Sequence, residues 1–198
     1  QKKVTIFFHL HCFGEKTCYG EDVKVSSKIL KIKENDNLLS FNGSSRATAY
    51  QDLNKIIETK NGYLVSWLDN YKDKFRLKLR YFTKENISKF EYDLGEVVDN
   101  HGGGSIAITD ENTIHVAYYP HGDDHVLYRE GKIVDEDLIN WENPIAVGDH
   151  LTYPKIFVYN EKLYITARRT KHSVGKDQRP QMVIYERKFN KKFSKGKI

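Results

Sequence analysis

From residue 46 onward the chain alternates apolar and polar positions in short runs, and these runs recur at a fixed spacing. NKIIETKNGYLVSW from Asn54, GSIAITDENTIHVAYY from Gly104 and YPKIFVYNEKLYITARR from Tyr153 line up with one another. Ile56, Ile106 and Ile156 stand 50 residues apart, and Leu64, Ile114 and Leu163 follow at intervals of 50 and 49. Within each segment an alternating run, a turn (Asn61-Gly62, Asp110 to Asn112, Asn160-Glu161) and a second alternating run predict a β-hairpin. A third run follows each time, as FRLKLRYF, DHVLYRE and QMVIYERK, putting Tyr81, Tyr128 and Tyr185 in comparable places. A fourth is predicted at ISKFEYDL and around Trp141. Four antiparallel strands per repeat of roughly fifty residues is the pattern of a β-propeller blade, whereas a helical repeat would show a 3.6-residue period. The predicted fold is all-β. Residues 46–198 carry the clear blades and 1–45 are less regular, about four blades in a single domain. That number suits part of a longer propeller, or a sheet completed by another copy.

Composition changes this picture little. The 198 residues suffice for one sizeable core, and no apolar stretch approaches the ~20 residues of a membrane helix. Lys and Arg exceed Asp and Glu by 32 to 27, which favours an anionic partner as readily as it describes an ordinary solvated surface. Basic residues are scattered, with no nucleic-acid recognition element. The two cysteines, Cys12 and Cys18, lie beside His9 and His11, but an alternating strand sends neighbours to opposite faces, which argues against a metal site. They form a disulfide if the protein is exported, or stay as thiols. No export signal is legible, since the apolar run Val4–Leu10 is short and lacks a small-residue cleavage site.

Candidate chemistry gathers where the blade pattern brings strand ends together. The residues just before the first strand of a blade and just after its second share one rim. Those positions hold Arg46 and Tyr50 from the first repeat, Asn100, His101 and His121 from the second, and Tyr153, Arg168 and Arg169 from the third. His125, His150 and His172 read as hydrogen-bonded turn residues and His115 as a packed or surface strand residue. Arg168 and Arg169 are neighbours in a strand, so at most one faces the site. HGGGS at residues 101–105 looks like an esterase oxyanion loop, but the GxSxG elbow that reading requires is absent.

The stretch DNHGGGSIAITDENTIHVAYYPHGDDHVLYRE, followed by Asn140-Trp141, TYPKIF and LYITARR, resembles the propeller polysaccharide lyases that cleave ulvan and the broader BNR-repeat group containing them. The resemblance covers about residues 46–187. It implies β-elimination at a uronic acid in a sulfated or otherwise acidic polysaccharide. Arg168 then pairs with the carboxylate, His101 and Tyr153 are base and acid in an order left open, and His121 orients substrate or shares proton transfer. Arg46, Tyr50, Asn100 and Arg169 bind substrate. No cofactor is needed once an arginine neutralises the carboxylate, and a structural divalent cation stays open. Secretion or a periplasmic location follows from the substrate class alone. A chain far shorter than such lyases also suits a non-catalytic carbohydrate-binding propeller. A sialidase-like glycosidase is disfavoured because no S-x-D-x-G-x-x-W box occurs.

Overall fold

In the computed structural model the described residues are 39–194, less 49–52, 72–73, 111, 119–124, 136–137, 170–179 and 190, and all lie in the unit Asn37–Ile198. Cys12, Cys18, Tyr50, His121 and His172 fall outside them. The alternation of the sequence becomes strands throughout, with no helix among the described residues. The first sheet is β1 (Ile56–Thr59), β2 (Gly62–Tyr71), β3 (Lys74–Thr83) and β4 (Ser88–Val97), antiparallel in chain order. The second is β5 (Ser105–Ile108), β6 (Thr113–Tyr118) and β7 (Val126–Asp135), followed by β8 (Leu138–Trp141) and β9 (Ile145–Val147), which both pair with β7. The third is β10 (Leu151–Tyr159), β11 (Lys162–Arg169) and β12 (Gln181–Lys188). Beyond β12 the chain turns back, and the Ser194 amide donates to the Glu186 carbonyl at 2.7 Å.

Three meanders need apolar cover for their faces, and the second sheet supplies it to both neighbours. Its strands send alternate side chains to opposite faces. Ile106, Ile114, Val116, Tyr118 and Ile139 pack with Leu64, Leu68, Leu77, Leu79 and Leu94 of the first sheet. Ala107, Ala117, Val126 and Val147 pack with Leu151, Ile156, Leu163, Ile165 and Val183 of the third. The near-continuous apolar character of β5 and β6 follows from this two-sided burial. The described sheets do not close into a ring.

The repeat is real, but its register is uneven. Leu64, Ile114 and Leu163 face Ile57, Ile108 and Val158, so the first hairpin is one residue out of step with the predicted alignment. Ile106 and Ile156 are fully buried, while Ile56 lies 64 % exposed on the opposite face. The residue in their place is Lys55, whose carbonyl receives the Ser66 amide at 2.8 Å. The three tyrosines are likewise not equivalent, since Tyr81 faces Leu64, Tyr128 faces Ala117 and Tyr185 faces Ile165. Gly62 does not form the first turn, which is Lys60-Asn61, but opens β2 against the Phe82 carbonyl, where a Cβ would come within 1.9 Å.

The starts of β1 and β5 are tied to each other and to the middle of β10. The Ile106 amide donates to the Asn54 carbonyl at 3.0 Å, the Ile156 amide to Ser105 Oγ at 3.2 Å, and Asn54 Nδ2 to the Ile156 carbonyl at 3.4 Å. These bonds join the starts of the first two sheets to the first strand of the third, whose opening residues Leu151–Lys155 precede the junction.

Candidate functional site

Around this junction lie the described candidates from the sequence. The segment from Val98 to Gly104 joins the first sheet to the second, and Asp99 organises it. Asp99 Oδ1 accepts the His101 amide at 2.7 Å, its Oδ2 lies 3.2 Å from His101 Nδ1, and its carbonyl accepts the Gly102 amide at 3.1 Å. An Asp two residues before a His thus makes a side-chain turn that also grips the ring. With Nδ1–H given to Asp99, Nε2 is the basic nitrogen, the arrangement a general base requires. Neighbouring Asn100 donates through Nδ2 to Ser45 Oγ at 3.2 Å. Arg46 follows Ser45 in a short segment bound to the end of β2, with the Ser44 amide on the Leu68 carbonyl and the Leu68 amide on that of Ala47. The Asn100–Ser45 bond thus joins the segment carrying Arg46 to the one carrying His101.

Gly104 sits where a Cβ would lie 2.7 Å from Leu77 Cδ2, so close packing demands the glycine. Its carbonyl accepts Lys55 Nζ at 2.7 Å. Ser105 is fully buried with its hydroxyl engaged by Ile156, which leaves the HGGGS segment structural.

In the third sheet, β10 carries a bulge between Thr152 and Lys155, and Tyr153 within it has φ +52°. A bulge re-aims a side chain and accommodates Pro154, which has no amide proton to give. The Arg168 guanidinium lies over the Tyr153 ring, 4.7 Å from its centroid, and Arg168 Nε donates to Thr152 Oγ1 at 3.0 Å. Among the described residues its two Nη groups carry no hydrogen bond. Arg169 points the other way, as alternation predicts, and donates through Nη2 to Tyr185 Oη at 2.9 Å on the side facing the second sheet.

Sequence reasoning missed Asp99, Lys55 and Thr152. Asp99 was legible as an Asx turn before His101; Lys55 and Thr152 depend on register, which the sequence does not display.

The opposite end of the second and third sheets holds a cleft of about 170 Å³ lined by Thr109, Asp110, Thr113, His115, Glu130 and Arg187 with Leu163 and Phe189. The Tyr128 hydroxyl donates to Glu130 Oε2 at 2.9 Å and receives Arg187 Nη1 at 2.6 Å. His115 Nδ1 must then donate to Tyr128 at 2.6 Å, and its Nε2 accepts from Thr109 at 2.7 Å. Burial, the largest cause, pulls the His115 pKa down to about 4, and it raises that of the Tyr128 phenol. His115 is thus a packed, neutral residue in a satisfied network.

No family model matches the chain, and no curated protein matches it at a significant level.

Proposed function

We propose that the chain is a β-propeller, or part of one, whose rim cleaves a uronic acid-containing, ulvan-like polysaccharide by β-elimination. Three antiparallel meanders packed face to face in chain order, with their first strands hydrogen-bonded to one another, support the propeller reading. The observation that carries the chemistry is the Arg168–Tyr153 stack, a fixed guanidinium beside a phenol at a strand end. The rim is also basic, since Arg46, Lys55, Arg168 and Arg169 all belong to this end of the sheets.

The guanidinium pairs with the uronate carboxylate and stabilises the charge that grows there as the C5 proton leaves. That proton goes to the base. The electron pair it leaves forms the C4–C5 double bond, the C4–O bond breaks, and the departing oxygen takes a proton from the acid. His101, oriented by Asp99, and Tyr153 divide these two roles. Substrate held by Arg46 and Asn100 extends the contact along the rim. A polymer of this kind places the protein outside the cell or in the periplasm.

The test is ultraviolet absorbance of unsaturated uronate ends, with ulvan and other acidic polymers. Wild type gives a rising signal, and Tyr153→Phe and Arg168→Ala lower its rate by about a hundredfold or more. A folded wild type silent on every uronate polymer overturns the lyase reading, and retention of those polymers without cleavage assigns the rim to binding alone.

A further inference from the structure

Arg168 is fixed more tightly than anion binding alone requires, and the agent is Thr152. The two face each other across β10 and β11, and Thr152 is fully buried. Its hydroxyl makes a two-point clasp on one residue, accepting Arg168 Nε–H at 3.0 Å and donating to the Arg168 carbonyl at 3.5 Å. The Tyr153 ring then sets the plane of the guanidinium.

We infer that Thr152 is a positioning residue that restricts Arg168 to end-on recognition of a carboxylate through its two Nη groups, an inference that rests on the lyase reading above. A guanidinium offers two forks, one from Nε with an Nη and one from the Nη pair. Thr152 occupies Nε, which removes the first. The second remains, and one hydrogen from each Nη matches the two oxygens of one planar carboxylate. Valine at 152 keeps the shape of the side chain but releases Nε, so Arg168 gains a second binding mode and loses its fixed aim. Serine keeps the hydroxyl and hence the clasp.

The test compares wild type, Thr152→Val and Thr152→Ser by nitrogen–proton spectroscopy of the arginine Nε–H groups and by steady-state cleavage of a uronate polymer. Arg168 Nε–H exchanges slowly with water in wild type and in the serine variant, and rapidly in the valine variant. The valine variant loses about tenfold in kcat with KM changed less than threefold, and serine restores kcat to within about twofold. This is the pattern of an interaction that matters most in the transition state. Rapid Nε–H exchange in wild type overturns the inference with no variant needed, as does a valine variant that cleaves like wild type while wild type is active. Wild type with slow exchange but no cleavage of any uronate polymer overturns the lyase reading and the role given to Thr152 within it.

Discussion

His115 shows how a single side chain ties stability to pH. Unfolded, its imidazole takes a proton near 6.5; folded, burial delays that until about pH 4. Arg187 opposes protonation too, while Glu130 and Asp110 favour it. Between those values the unfolded chain binds more protons than the folded one, so stability falls as the pH falls through this window and is fully present above it. The loss is on the order of 3 kcal/mol. Urea midpoints measured from pH 4 to 7 are expected to climb in wild type and to run flatter in His115→Gln, whatever the variant's absolute stability. A His inside an alternating run can face either way, so the sequence excluded a ligand role for His115 more readily than it told packed from surface. Its partners were not legible, because Tyr128, Glu130 and Arg187 come from two different sheets. The same holds at the rim. The repeat groups His101, Asn100 and Arg46 on one rim only as an expectation, whereas the clasp of Thr152 on Arg168 depends on a bulge that no spacing displays.

At the level of elements, hairpins were the most legible feature. The predicted second, third and fourth runs became β2 to β4, β6 to β8 and β11 to β12, because strict alternation leaves one face to bury. Register was less legible, since a slip of one residue moves a side chain to the other face without altering the alternation. Ile56 is the example. The split of the second sheet's outer strand into β8 and β9 was also hidden. The Asn160-Glu161 turn joins β10 to β11 with both central residues at positive φ, 49° and 58°, as a type I′ turn requires. Asparagine tolerates this conformation and glutamate does not. Glu161→Gly is therefore expected to stabilise the protein by about 0.5 kcal/mol, strain relief outweighing glycine's greater freedom when unfolded. Equilibrium urea unfolding checks it, and a lower midpoint would refute the strain.

For the molecule as a whole, the junction of the three first strands matters more than its few hydrogen bonds suggest. Ser105 Oγ is the acceptor for the amide of Ile156, and both residues are fully buried. Ser105→Ala strands that amide away from water at a cost of about 1–3 kcal/mol. Thermal unfolding should register the loss, with slow amide exchange weakened in the second and third sheets together. The cleavage proposed above should survive in the folded variant, because the hydroxyl is committed to structure. The succession of all-β antiparallel sheets was legible from the fifty-residue spacing, and the described sheets stay open. Lys55, finally, bears on how this protein can be engineered. A designer who averaged the three repeats into one consensus unit would write isoleucine at position 55, matching Ile106 and Ile156 and evening out the hairpins. The product would be more regular, and it would have erased the ammonium that reaches the carbonyl of Gly104 just before β5. In this chain the departure from its own repeat ties the start of the first sheet to the start of the second, so idealisation would loosen that junction while improving symmetry.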